Sequence, residues 1–182
     1  MNKILLLAGA ATCAFIAFQP APAVATECAN DPNGVPPLTP PDDGGVDAEN
    51  TACGDGSDAS GVNSANTAFG AASNASGDGD ANTAIGFEAN ASEALGGTAV
   101  GSRSNATGQD AAAFGRDSLA TGIDSTALGS FAEATGATAI AIGGDSTDGG
   151  GAGAQASGDR AIAIGADAAA SGEESTSLGA RA

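Results

Sequence analysis

One pattern, repeated from residue 50 to residue 182, leaves this chain few folds to choose from. Each unit opens on a frame glycine, at positions 54, 70, 86, 101, 115, 129, 143, 165 and 179. An eight-residue insertion, Gly144 to Gly151, follows Gly143. With it set aside, the fifth residue after the frame glycine is always alanine: Ala59, Ala75, Ala91, Ala106, Ala120, Ala134, Ala156 and Ala170. The sixth is Ser or Thr. The residue before each frame glycine is apolar: Cys53, Phe69, Ile85, Val100, Phe114, Leu128, Ile142, Ile164 and Leu178. The spacings run 16, 16, 15, 14, 14, 14, 22 and 14, so the basic unit is fourteen residues and the additions fall in turns. Such a period marks stacked coils, and insertions confined to turns leave the stack in register. The pattern predicts an all-β parallel solenoid of about eight 14-residue coils, with two short strands in each.

Glycine closes each strand where the chain must reverse through angles that a Cβ resists. A coil this short encloses little space, which accounts for alanine in place of leucine at the repeated interior positions. The two strands differ. In the second, the residue before the repeated alanine is Asp58, Asn74, Asn90, Asn105, Leu119, Glu133, Gln155 or Ala169, mostly polar, so one face is dry and the other wet. In the first, the bulky residue and the small one beside it point to opposite faces. Ala84 with Ile85, Ala99 with Val100, Ala141 with Ile142 and Ala163 with Ile164 leave neither face polar. A lone coil has only one inside. The second apolar face therefore calls for other copies of the chain, packed along its length in a closed ring.

Composition supports this reading. There are 29 glycines, six phenylalanines and no Trp, Tyr or His, and the apolar content is carried by alanine. A disordered chain of that composition would have no reason to hold its bulky residues in register. Residues 1–25 read as a secretory signal peptide: Lys3, an apolar run from Ile4 to Phe18, and the small-x-small site Ala23-Val24-Ala25. The run is short for a membrane span, and Pro20 and Pro22 follow it. Residues 26–49, with Pro32, Pro36, Pro37, Pro40 and Pro41, read as an extended linker or an amino-terminal cap.

After the leader, four arginines face 22 acidic residues, a net charge of about −18. That excludes an electrostatic nucleic-acid binder and keeps an alanine-rich surface soluble. Two cysteines remain, Cys28 and Cys53. A bridge between them would pin the tail to the first coil, worth about 3 kcal/mol in the chain-entropy model. Alternatively, Cys53 fills an apolar position as a small hydrophobe, or the link is interchain, between protomers.

The runs Asn66-Thr67-Ala68-Phe69-Gly70, Ser125-Thr126-Ala127-Leu128-Gly129 and Ala161-Ile162-Ala163-Ile164-Gly165 resemble the head repeats of trimeric autotransporter adhesins, the YadA-like, haemagglutinin-type head. The resemblance covers residues 50–182. It implies a trimeric, left-handed parallel β-roll on a Gram-negative outer surface that attaches to host matrix, cells or other bacteria. Members of that family continue into a coiled-coil stalk and a β-barrel anchor. Neither heptads nor barrel strands are read here, so the expectation is an exported homotrimer, at the cell surface by resemblance or secreted, with no membrane-spanning segment after the leader.

Chemistry is sparse. Without His, Tyr or, after the leader, Lys, the usual bases and activated nucleophiles are missing, and no enzyme or cofactor is expected. Asp78, Asp80 and Asn82 have the alternating oxygens of a calcium loop, but Thr83 stands where its glycine belongs and no Glu closes it. Asn74, Asn90 and Asn105 each begin a glycosylation sequon, in a phase where the fold itself dictates Ala and Ser/Thr. Asp145 and Asp148, in the glycine-rich insertion, are the candidate ligand contacts, against a tolerated bulge. A different class of function, a matrix or ice-binding solenoid, would use the recurring Thr51, Thr67, Thr83, Thr98, Thr126 and Thr176, although Ala112, Ile140 and Ile162 interrupt them.

Overall fold

Glycine and alanine set the cross-section of the molecule. In the computed structural model, which describes residues 50–61, 64–78, 81–92, 95–146 and 151–182, the chain winds into about eight stacked coils with no helix among the described residues. The leader (1–25), the proline-rich segment (26–49), Cys28, Asp80 and Asp148 lie outside the described residues.

The first strand of every coil joins one nine-stranded parallel sheet, running from Thr51–Cys53 through Thr67–Phe69, Thr83–Ile85 and Thr98–Val100 to Thr176–Leu178. Its register is unbroken: Thr67 pairs with Thr83, Ala68 with Ala84 and Phe69 with Ile85. The second strands form a five-stranded parallel sheet from Asn105–Ala106 to Ala169–Ala170. Isolated bridges Asp58–Asn74, Asn74–Asn90 and Asn90–Asn105 carry it back to the first coil. Across the insertion, Gln155 still pairs with Glu133 on one side and Ala169 on the other. The ladder keeps its register across the insertion, as a solenoid requires.

The interior is alanine. Ala68, Ala84, Ala99, Ala113, Ala127, Ala141 and Ala163 from the first sheet, and Ala59, Ala75, Ala91, Ala106, Ala120, Ala134 and Ala156 from the second, are fully buried. At the third place after the frame glycine, serines turn inward and are satisfied locally. Ser57, Ser73, Ser104 and Ser118 each donate Oγ–H to the carbonyl of Gly54, Gly70, Gly101 and Gly115, at 2.8–2.9 Å.

The structure reveals a shorter period inside the fourteen-residue unit. Both turns of a coil are built alike, as Gly-x-x-small. Ser118 N donates to Gly115 O at 3.4 Å, and seven residues later Ser125 N donates to Gly122 O at 3.3 Å. The third residue of each turn is left-handed without being glycine: Arg103, Asp117 and Phe131 in one series, Asp110, Asp124 and Thr138 in the other, with φ of 52–60°. Asp tolerates that region better than most residues, whereas Arg103, Phe131 and Thr138 carry its strain. The glycines are required by contact between coils. A Cβ on Gly115, at φ +134°, would lie 2.4 Å from Gly129 O, and one on Gly122 would lie 1.9 Å from Gly136 O.

The first three coils are wider, and what fills them is polar. Asn50, Asn66 and Asn82 stack one per coil. Asn66 Oδ1 accepts from Asn82 N at 2.9 Å, and its Nδ2 donates to Ser60 O and Gly77 O, both at 3.0 Å. Asn82 Oδ1 accepts from Gly97 N at 2.9 Å. Asn66 and Asn82 are wholly buried, with their amides supplying what the lengthened turns leave unpaired.

Candidate interaction surfaces

Strand alternation sends the neighbours of each interior alanine outward. On the nine-stranded sheet this makes two columns. One holds Thr67, Thr83, Thr98, Ala112, Thr126, Ile140, Ile162 and Thr176. The other is the bulky series that precedes the frame glycines, and it is open: Phe69 is 53% exposed, Ile85 40%, Leu128 46% and Leu178 72%. Opposite faces for the small and the bulky residue are as the sequence predicts. Large apolar side chains aligned along a whole face mark an interaction surface.

The outer face of the five-stranded sheet is wet. Asn105, Glu133 and Gln155 are half-buried there, beside a hydroxyl column of Thr107, Thr121, Thr135, Ser157 and Ser171. In the amino-terminal coils these two positions bind one another. Asn74 Oδ1 accepts from Ser76 N and Oγ at 3.0 and 2.8 Å, and Asn90 Oδ1 accepts from Ser92 N and Oγ at 3.0 and 2.6 Å. Both sequons therefore serve a local turn. Asn105, third in the series, has an Oδ1 with no hydrogen-bond partner among the described residues.

Charges line the turns. Arg103 grips Asp117 of the next coil through Nε and Nη2, at 2.6 and 3.0 Å, and this bonding holds the Asp117 carboxyl below its ordinary range. Arg116 also reaches Asp117 at 3.1 Å, and its guanidinium lies 4.5 Å from the centre of the Phe131 ring. On the other edge Arg160 pairs with Glu173 and Glu174. Apart from Arg116–Asp117, which are adjacent in one coil, these ion pairs join neighbouring coils through exposed arginines, where they add little stability.

The base of the insertion is tied down. Asp145 N donates to Ser130 O at 3.1 Å, and Gly153 N to Phe131 O at 2.9 Å. Ser146 donates both its amide and its hydroxyl to the Asp167 carboxylate, which lowers the Asp167 pKa, with a smaller contribution from Arg181. Asp145 is half-buried at this base, and Asp148 lies outside the described residues.

Of the calcium-loop candidates, Asp80 lies outside the described residues. Asp78 is exposed, whereas Asn82 points inside and spends its amide on Gly97 N and on Ser76 O at 3.4 Å. Among the described residues no group of three or more His, Cys, Asp or Glu is arranged to hold a metal ion, and no helix is long and apolar enough to cross a membrane. The threonine column is in register over Thr51, Thr67, Thr83 and Thr98, but shares its face with Phe69, Ile85 and Val100. Sequence reading missed the asparagine stack. Its signal was available, since Asn50, Asn66 and Asn82 each precede a Thr-Ala pair only where the coils are long.

The family model for the YadA head domain repeat (2 copies) matches residues 93–118, 120–146, 151–168 and 156–182. No curated protein matches the chain.

Proposed function

We propose that this chain, whose coils over residues 93–118, 120–146, 151–168 and 156–182 match the YadA head domain repeat, is the non-enzymatic head of a surface adhesin that works as a homotrimer. The observation that carries the reading is the exposed apolar column on the nine-stranded sheet. Phe69, Ile85, Phe114, Leu128 and Ile164 face outward in a single chain, and burying them against two further copies removes a surface that water penalises. The wet sheet and the charged turns then remain outside.

Attachment follows from repetition. A rod presenting similar contacts coil after coil gains avidity from many weak interactions with host matrix, cells or other bacteria. The apolar leader at residues 1–25 supports export, and the family supports a place at the cell surface. Asp145, at the tied base of the insertion, and Asp148 are the proposed ligand contacts.

Light scattering tests the assembly: a trimer is expected, and Phe114→Thr combined with Leu128→Thr should yield folded monomer. A wild-type monomer would overturn the reading. Binding of the trimer to collagen- or fibronectin-coated surfaces tests attachment.

A second reading, an ice-binding or matrix solenoid, is favoured by the in-register threonines of the first four coils. It predicts thermal hysteresis without matrix binding.

A further inference from the structure

The two turns of a coil lie at opposite edges of the roll, and the edges carry different side chains. At one, in the turns that open on frame glycines, stand Phe87, Arg103, Arg116 and Phe131. At the other stand Leu95, Asp110, Ile123 and Asp124. On the first edge two arginines share one carboxylate, that of Asp117, and Glu88 adds a more distant charge. On the second, Asp110 and Asp124 occupy neighbouring coils, and neither is paired with an arginine among the described residues. Phe87, Leu95 and Ile123 are 51%, 52% and 53% exposed.

Order along the rod matches one edge to the other. The chain passes from a first-edge turn to a second-edge turn and back, so each turn at one edge lies in height between two at the other. Rotating a copy about the rod direction keeps these heights. It sets the first edge of one chain against the second edge of its neighbour. Phe87 then meets Leu95, Arg103 meets Asp110, Arg116 falls between Asp110 and Asp124, and Phe131 meets Ile123. A twofold axis across the rods would instead reverse one chain and set arginine edge against arginine edge.

We propose that neighbouring copies of this chain join edge to edge, with Arg103 and Arg116 of one binding Asp110 and Asp124 of the next between two flanking apolar contacts. The number of copies rests on the trimer proposed above, whereas the pairing of edges does not. A guanidinium has five donors, so Arg103 keeps Asp117 and still serves a second carboxylate. These turns lie outside the apolar column and form its polar rim. Charges in such a rim fix orientation and partner more than they add strength. The nearly uniform apolar column carries little of that information itself.

The test uses the scarcity of amines. Lysine occurs only at residue 3, so Arg116→Lys in the full chain adds a nearly unique one. Isotope-labelled and unlabelled variant chains are refolded together and treated with carbodiimide, which joins an amine to a carboxylate in direct contact. Mass spectrometry should find the new side chain linked to Asp110 or Asp124 across labelled and unlabelled copies. Linkage to Asp117 of the same chain alone would overturn the proposal. Covalent products that stop at two copies would leave the edge pairing standing and overturn the trimer. A wild-type monomer would overturn both.

Charge exchange gives a second readout. Asp110→Arg with Asp124→Arg should raise the concentration for half-assembly about 100-fold, because like charges then face one another. Adding Arg103→Glu and Arg116→Glu should restore assembly. The turns accept these types, since Arg160 and Glu88 hold corresponding left-handed positions at φ 57° and 54°. Loss without rescue would overturn the pairing.

Discussion

Each narrow coil is two nearly identical halves. Gly115-Arg116-Asp117-Ser118-Leu119-Ala120-Thr121 is followed by Gly122-Ile123-Asp124-Ser125-Thr126-Ala127-Leu128. Both halves open on the same glycine turn, both put a serine and an alanine inside, and both stack in parallel. They differ at the second, fifth and seventh residues, and at the seventh Thr121 stands in one and Leu128 in the other. The seventh position recurs as Ser or Thr in one half and as an apolar residue in the other, so it separates the wet sheet from the one that presents an apolar column. The fold needs the glycine, the serine and the alanine, while the seventh residue is left to set what the surface meets.

The largest way to break the comparison is to attack what the halves share. Gly115→Ala and Gly122→Ala each place a Cβ against the backbone of the next coil, so both should cost more than about 4 kcal/mol in denaturant unfolding. If one half tolerates the change, the two turns are not equivalent. Next is the asparagine stack, which the narrow coils lack. Asn66→Ala strands the Asn82 amide and the Ser60 and Gly77 carbonyls, and should cost about 2–4 kcal/mol, read as a fall in the denaturant midpoint.

Making the halves alike at the seventh residue probes the surface. Thr121→Leu with Thr135→Leu should leave unfolding free energy within about 0.5 kcal/mol while enlarging the assembly seen by light scattering, because a second apolar column appears. Unchanged size would mean that the hydroxyl column is not what keeps that face wet.

The smallest effect concerns the turn charges. Arg103 lowers the folded-state pKa of Asp117 below its ordinary 3.8, so the carboxylate stabilises the fold above that pH and the contribution fades as pH falls through the lowered value. Asp117→Asn should therefore lower the Tm slightly near neutrality, and the variant and wild-type Tm–pH curves should converge as pH falls through the acid limb.

Much of this was legible in the sequence, for physical reasons. Alanine at 59, 75, 91 and onward can be read as interior because a fixed phase of small residues has no other use in a narrow coil. The outward apolar column follows from alternation. The seven-residue half was hidden by its own variation: the second glycine is missing at Glu93, and longer turns blur the phase in the first three coils. The left-handed residues could not be found by composition, since Arg103, Phe131 and Thr138 are not types that favour φ > 0. The turn is imposed by the stack, and the residue accepts it. Asn82 was misleading for the opposite reason. Its oxygen looked like a ligand for a cation, and in the fold it accepts a backbone amide.

The insertion after Gly143 bears on how such a molecule changes over time. Gln155 resumes pairing with Glu133 as if the added residues were absent, because hydrogen bonding runs between coils and hardly along the chain. Whole coils can therefore be duplicated or deleted, each altering the rod's length by about 4.8 Å, without disturbing the rest. Reach becomes a heritable dimension, adjustable in fixed graduations while the contact chemistry of every remaining coil stays the same.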